Sequence, residues 1–362
     1  MANIDNLDSI RKVDRDNMLQ NTQDFPSQIE ECWRDWKRTA IPTHFINAKN
    51  VLILGMGGSG LGGGIIKNFT ELMSMIPVTV LKDYDIPLWV DKNTLVIAVS
   101  YSGSTEETLE ALRQAGQKTD KIITISTGGA LASLGSQFKA LHYKINYGAQ
   151  PRAALGYSLT SLMAIFAKLK FLEINDDHMS EAILLLQGLR KKIDADIQTS
   201  HNPAKLLANR MENKIPIILT SGTLAEIGGR WKTHFNENAK NASYAEIMPE
   251  MNHNSLVGLE YPKNLKENIF VIILESKFDH PRTKLRQKIV GQIMVKRQIP
   301  YESIMMQPTG NIYAEALQMI LFGDFVAFYL AILNNVDPNP VEIIKFLKDK
   351  LAESPFEGRG RG

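Results

Sequence analysis

A glycine-rich stretch at residues 52–64, LILGMGGSGLGGG, most constrains what this chain can fold into. It includes the end of an apolar run with the length and composition of a buried parallel strand. The residues after it, 65–69, predict the start of a helix. A strand, a glycine-rich turn and a helix together aim backbone N–H groups and the positive end of the helix dipole at an anion. We therefore predict an anion-binding turn, with a tight bend that binds nothing as the alternative.

The spacing Gly55-x-Gly57-x-x-Gly60 also matches the dinucleotide-binding fingerprint, although that pattern alone is weak. Asp83 and Asp85 lie too far along the chain to act as its acidic residue. No Gly-Lys-Ser/Thr follows the glycines, so the stretch is not a P-loop. A nicotinamide-dependent oxidoreductase stays open as an alternative that an absorbance titration would test.

A second loop repeats the design with hydroxyls in place of most glycines. The apolar run 95–99 leads directly into SYSGST at 100–105, and a helix is predicted from residue 106. Serine and threonine at a helix start usually cap its free N–H groups. Four Ser and Thr hydroxyls in six residues exceed what one cap needs. Together with Ser59 in the first turn, they favour a phosphorylated polyol as the ligand, with simple capping as the alternative.

Strands that alternate with helices predict an α/β fold with doubly wound parallel sheets, which bind ligands at the carboxyl ends of their strands. We predict strands at 51–54, 78–81, 95–99, 122–125, 141–145, 215–220, 271–275 and 301–305. We predict an N-terminal helical extension (1–40), a first domain (41–174), a second domain (175–335) and a C-terminal helix and tail (336–362). The tail at 355–362 is predicted to be disordered.

Composition excludes several classes of protein. A net charge of +2 does not indicate a nucleic-acid partner or a membrane surface. No apolar run is expected to approach the roughly 20 residues of a membrane span, and the polar residues 1–30 predict no signal peptide. The single cysteine, Cys32, cannot form an internal disulfide and is predicted to be a packed side chain. We therefore expect a cytoplasmic protein.

Three segments carry candidates for chemistry. His234 and Glu237 lie three residues apart on one helix face, but a His-x-x-Glu pair without a third ligand is a weak metal signal. Glu237 stands between two asparagines on a Trp- and Phe-containing helix, which favours a functional carboxylate over a solvated one. Arg152 follows a proline that is typical of the first turn of a helix. Its guanidinium either binds an anionic ligand or is simply solvated. His253, in a predicted loop at 246–255, suits acid–base work or an ordinary surface position.

Five motifs occur in an order that we identify with one family: GMGGSG at 55–60, SYSGSTEET at 100–108, PRA at 151–153, NENAK at 236–240 and PEMNHN at 249–254. Over about 51–351 the chain resembles the bifunctional phosphoglucose/phosphomannose isomerases, which are built from two sugar-isomerase (SIS) domains. The first two motifs mark SIS domains broadly. The last two are far more specific.

The resemblance implies two flavodoxin-like αβα sandwich (SIS) domains with parallel sheets, in a homodimer with its site between the domains. It implies an aldose–ketose isomerase that interconverts glucose 6-phosphate and mannose 6-phosphate with fructose 6-phosphate through a cis-enediol, without metal or cofactor. A non-catalytic SIS-type sugar-phosphate-binding protein is the alternative. Such a protein would keep the hydroxyl loops and lack an acid–base set, so the presence of Glu237 and His253 favours the enzyme. The sequence shows no helix-turn-helix segment of the kind that a DNA-bound regulator would need.

The resemblance also implies roles for individual residues. The sugar phosphate would be held by Gly58, Ser59, Ser100, Ser102 and Thr105. Arg152 would stabilise the enediolate, and Glu237 would move a proton between C2 and C1. His253 from the partner subunit and Lys348 would assist ring opening. These residue types suit a reaction that needs a carboxylate base, a cation at the enediolate oxygens and acid–base help at the ring oxygen.

Overall fold

Two parallel sheets frame the protein, as seen in a computed structural model that describes residues 3–353. The first sheet has the strand order β2-β1-β3-β4-β5 and the second β7-β6-β8-β9. Their strands are β1 Asn50–Leu54, β2 Val78–Leu81, β3 Thr94–Val99, β4 Ile122–Ser126, β5 Leu141–Lys144, β6 Ile215–Ser221, β7 Tyr244–Met248, β8 Ile269–Glu275 and β9 Tyr301–Met305. The tail predicted at 355–362 lies outside the described residues.

Helices fill the connections between the strands and both ends of the described chain. They are α1 Leu7–Val13, α2 Met18–Gln23, α3 Phe25–Arg38, α4 Gly57–Met73, α5 Glu106–Gly116, α6 Gly129–Gln137, α7 Leu155–Lys168, α8 Asp176–Ile193, α9 Pro203–Arg210, α10 Ala225–Glu237, α11 Leu265–Asn268, α12 Pro281–Arg297, α13 Ile312–Leu333 and α14 Glu342–Ala352. All neighbouring strands pair in parallel. The predicted α/β class with parallel sheets is confirmed.

The two sheets share one core that lies between them. On β1, Ile53 faces this core, whereas Leu52 and Leu54 face α5 and α6 on the other side of the sheet. In the second sheet, Ile272 faces the shared core and Ile273 faces α12. Each sheet is therefore covered by helices on both faces, as near-continuous apolar strands require.

Helix α13 runs through the shared core. It is the one helix within residues 3–353 that is long and apolar enough to cross a membrane, and 94% of its most apolar window is buried inside the protein. The expectation that no apolar run approaches the length of a membrane span is wrong for this helix. Its apolar character is explained by burial on all sides.

Helices α4 and α10 follow the first strand of each sheet and pack against each other. A Cβ atom on Gly64 would lie 2.6 Å from the Glu226 carboxylate, and one on Gly229 would lie 3.8 Å from Leu61. The two helices therefore run antiparallel, and Gly64 allows their close approach. As a result, the N-terminus of α4 and the C-terminus of α10 lie at the same end of the molecule.

Two details differ from the sequence-based prediction. Helix α4 begins at Gly57, not at residue 65, so most of the glycines belong to its first turns. Residues 246–248, assigned to a loop, are the end of β7, an edge strand that was not predicted.

Helix α3 packs on α7, and Trp36 Nε1 donates to Ser161 Oγ at 2.9 Å. Cys32 is buried there, as predicted, and burial raises the pKa of its thiol to about 12.

The division into 1–40, 41–174, 175–335 and 336–362 stays a prediction. The first sheet occupies residues 50–144 and the second 215–305, so each lies inside one of the two predicted domains.

Candidate active site

The glycine-rich turn and the hydroxyl loop meet at the carboxyl ends of β1 and β3, which are neighbours in the sheet. In the strand order 2-1-3-4-5, the order of the strands reverses between β1 and β3, and a crevice lies outside the carboxyl ends of the strands at such a point. A Cβ on Gly55 would lie 3.0 Å from the Val99 carbonyl oxygen, so the two loops are in contact. The sequence-predicted anion-binding elements are therefore adjacent.

The glycines of the turn have different tasks. A Cβ on Gly60 would lie 2.3 Å from the Gly55 carbonyl oxygen, so only glycine fits at that position. Gly57 has a φ of +50°, with open space where a Cβ would stand. Gly58 is also uncrowded, and its nearest neighbour is the Arg152 backbone. The tight bend accounts for Gly60, whereas Gly57 and Gly58 leave the first amides of α4 accessible to a ligand.

The hydroxyl loop does not cap its helix with a side chain. Thr105 occupies the N-cap position of α5, but its side chain makes no capping bond. Its hydroxyl pairs instead with Ser100 Oγ at 2.8 Å, and Ser104 Oγ donates to Ser102 Oγ at 3.0 Å. The capping alternative is not what the structure contains. The hydroxyls and the N-terminal amides of α5 together suit an anion.

Arg152 is buried beside the glycine-rich turn and is held by two other segments. Its Nε donates to Asn238 Oδ1 at 2.6 Å, and its Nη2 donates to the carbonyl oxygens of Pro338 and Asn339 at 2.6 and 2.7 Å. Within the described part of the chain Nη1 donates no hydrogen bond, and it lies 3.6 Å from Glu237 Oε2. Nη1 is therefore available to an oxygen atom placed next to the Glu237 carboxylate.

Burial lowers the pKa of Arg152, and the Glu237 carboxylate opposes that shift. Glu237 ends α10, and its side chain is 29% exposed, so solvent or a ligand reaches it. Lys240 donates to the carbonyl oxygens of Glu237 and Asp337 at 2.8 and 2.7 Å. Burial, with the nearby Arg152 charge, lowers the pKa of Lys240 to about 8. Lys240 thus ties the end of α10 to the 337–339 segment that holds Arg152.

A buried polar cluster beneath Arg152 was missed by the sequence analysis. Asp324, on α13, forms a bidentate pair with Arg230 at 3.1 and 2.8 Å and lies 3.0 Å from His234 Nδ1. Burial, with the charges of Arg230 and Arg152, lowers the pKa of His234 well below its usual value. His234 Nδ1 faces Asp324, and among the described residues no group of three or more His, Cys, Asp or Glu side chains is placed to hold a metal ion. The available signal was an aspartate in the middle of an apolar helix.

Two predicted site residues lie apart from the others within one chain. His253 and Lys348 are exposed, and among the described residues neither bonds or pairs with Glu237 or Arg152. Lys348 lies on α14, which has no buried residue and exposes Ile343, Phe346 and Leu347. The structure thus brings together the glycine turn, the hydroxyl loop, Arg152 and Glu237. The placement of His253 and Lys348 in the site stays a prediction.

Two family models match the chain. The bacterial phospho-glucose isomerase C-terminal SIS domain matches residues 200–351, and the SIS domain matches residues 44–176. The chain is 37% identical to a bifunctional phosphoglucose/phosphomannose isomerase of Caldicellulosiruptor bescii, covering 93% of this chain and 99% of that protein. It is 32% identical to one of Aquifex aeolicus, covering 90% and 96%. A solved hypothetical protein from Thermus thermophilus shares the fold, with a TM-score of 0.71 at 15% identity over 93% of this chain and 91% of that chain.

The fold and the two family matches define a protein of two SIS domains. The chain belongs to the bifunctional phosphoglucose/phosphomannose isomerase family. The resemblance inferred from the five sequence motifs is confirmed, as are the two flavodoxin-like SIS domains.

Proposed function

We propose that this chain is an aldose–ketose isomerase that interconverts glucose 6-phosphate and mannose 6-phosphate with fructose 6-phosphate. The observation that carries this proposal is the buried Arg152 guanidinium, whose Nη1 faces the Glu237 carboxylate across 3.6 Å beside the glycine-rich turn. A carboxylate next to a fixed cation is the arrangement that proton transfer at a carbon acid requires. Membership of the family supports the same reaction.

The proposed reaction follows from this arrangement. The sugar phosphate binds the accessible amides of α4 and α5 with the hydroxyls of Ser59, Ser100, Ser102 and Thr105. Glu237 removes the proton from C2 of the open-chain aldose and returns it to C1. Negative charge builds up on the enediolate oxygens between these steps, and Arg152 Nη1 stabilises it. Both oxygens stay on their carbons: the C1 oxygen gains a proton and becomes a hydroxyl, the C2 oxygen loses its proton and becomes the ketone, and no metal or cofactor is needed.

Ring opening needs a proton donor and acceptor at the ring oxygen, and we assign it to His253 and Lys348. His253 is exposed in a single chain, which suits a role in the site of a second copy. Exposed apolar side chains on α14, together with Val257 and Tyr261 near His253, suit burial in a homodimer. A cytoplasmic location with no nucleic-acid or membrane partner remains part of the proposal.

A side-by-side assay of the two aldose phosphates tests the proposal. Purified protein is incubated with glucose 6-phosphate or mannose 6-phosphate, and fructose 6-phosphate is measured by a colour reaction for ketoses. We expect turnover of both substrates, unchanged by a chelator. Binding of both sugars without turnover would favour the non-catalytic alternative, and saturable binding of a nicotinamide cofactor would favour an oxidoreductase.

A further inference from the structure

The buried Asp324 carboxylate holds the backbone of the candidate active site in place through one arginine. Asp324 is 5% exposed, in a helix that is otherwise almost wholly apolar. It binds Arg230 in bidentate fashion, and Arg230 Nη2 also donates to the Arg152 carbonyl oxygen at 2.8 Å. A bidentate arginine–carboxylate pair fixes both the distance and the orientation of its partners. The Arg152 backbone is therefore tied to α13.

A second arm runs from Asp324 to the Arg152 side chain. His234 Nδ1 lies 3.0 Å from Asp324 Oδ1, and the His234 carbonyl accepts from the Asn238 backbone N–H at 2.8 Å. Asn238 Oδ1 in turn accepts from Arg152 Nε at 2.6 Å. His234 and Asn238 are both nearly fully buried. The last turn of α10, which carries Glu237, is thus oriented by the same carboxylate.

The distribution of charge gives this arrangement its purpose. The buried cluster contains two guanidinium groups and one buried carboxylate, that of Asp324, and in the described residues Arg152 forms its ion pair with Glu237. Asp324 neutralises the positive charge of Arg230. Arg230 therefore does not attract the Glu237 carboxylate, which stays free to act on a substrate. An ion pair buried this deeply rarely adds net stability compared with apolar residues. Its presence calls for a role other than folding energy.

We infer that Asp324 and Arg230 are positioning residues that hold Arg152 Nη1 and the Glu237 carboxylate at the spacing needed for the enediolate. This inference rests on the proposed function, because it assigns the pair to the isomerisation step. Neither residue needs to touch the substrate. A displacement of about 1 Å at a reacting group costs on the order of 100-fold in rate.

The test compares Asp324→Asn and Arg230→Lys with the parent protein. Asp324→Asn keeps the shape of the side chain and Arg230→Lys keeps its charge, and both lose the bidentate pair. We expect kcat to fall at least about tenfold while KM changes less than about threefold, because the enediolate forms only after binding. A five-carbon phosphosugar hydroxamate, a planar anionic mimic of the enediolate, should lose affinity about as much as kcat falls. Arabinose 5-phosphate, which resembles the ground state, should bind nearly as before.

Lys205→Met is the matched control. Lys205 is fully buried and pairs with Asp5 at 3.0 Å in the N-terminal region of the fold, so its loss also removes a buried cation. We expect this variant to unfold more easily but to keep kcat and hydroxamate binding. Denaturant melts identify folded variants. If Asp324→Asn does not fold, Arg230→Lys and the double variant Arg230→Met with Asp324→Leu carry the test.

The outcomes separate this inference from the proposed function. An inactive parent protein would overturn the proposed isomerase and the inference with it. An active parent with folded variants at the parental kcat would overturn only the inference. Equal losses for the hydroxamate and for arabinose 5-phosphate would also contradict it, because a general distortion of the pocket would affect both ligands.

Discussion

The Arg152 guanidinium bonds to residues from two other parts of the chain, the end of α10 and the 338–339 turn. Sequence motifs predicted Arg152, Glu237 and the hydroxyl loop, because each motif is local in the chain. Arg230 and Asp324 could not be found that way, since they pair across 94 residues. Their partners are fixed only by the packing of α10 on α13. A motif therefore predicts which residues belong to the site, but it does not predict which distant residues hold them in position.

For single residues, the decisive prediction concerns Glu237→Gln. The amide keeps the shape of the side chain but cannot accept the C2 proton, so kcat should fall by about 100-fold or more. Affinity for the phosphosugar should change little, because the phosphate is held by other residues. Steady-state kinetics with a direct binding titration measure both quantities.

The exposed Glu267→Gln is the control for that substitution. It removes the same charge from the protein surface and should leave kcat at the parental value. Turnover by Glu237→Gln at the parental rate would show that another group is the base.

Individual elements were predicted with different success, for physical reasons. The buried strands are apolar runs and stood out, whereas β7 is a half-exposed edge strand of mixed sequence and did not. The start of α4 was placed too late because glycine has a low intrinsic helix propensity. Here the helix is held by packing, since its glycines allow contact with α10 and the sheet. Tertiary contacts thus outweighed local preference.

The N-terminus of α5 provides a prediction for an element. Replacing Thr105 with Asp should supply the missing cap and raise the free energy of unfolding by about 0.5–1 kcal/mol. The same charge should raise KM by about tenfold or more, because it repels the substrate phosphate. Denaturant melts and steady-state kinetics measure the two effects.

Thr105→Asn separates charge from shape in this experiment. The asparagine caps the helix as well as aspartate does but carries no charge, so it should stabilise the protein with a much smaller rise in KM. A stabilised Thr105→Asp variant with an unchanged KM would mean that the phosphate binds elsewhere.

At the scale of the whole molecule, one chain holds the proposed base and enediolate cation but leaves His253 exposed. The proposed homodimer makes a specific prediction for mixtures of two inactive variants. Glu237→Gln and His253→Ala, unfolded and refolded together, should form mixed dimers in which one site carries both changes and the other carries neither. Random pairing of equal amounts should restore about a quarter of the parental activity.

Each variant refolded alone is the control and should stay inactive. Sedimentation of the mixture establishes whether dimers have formed. Dimers that recover no activity would place His253 in the site of its own chain, whereas activity of His253→Ala refolded alone would place it outside the site.

Helix α13 contacts helices associated with both sheets. The Phe69 ring of α4 meets Tyr313 edge-on at 5.1 Å, and Trp231 of α10 donates to the Met319 carbonyl at 3.0 Å. Two lobes fused through such a shared interior cannot swing apart as hinged bodies, because opening would expose that apolar surface to water. Sugar entry and product exit should therefore depend on small local shifts and not on separation of the two sheets. The two sheets and the helices between them would stay fixed during turnover, and only segments at the entrance to the site would move.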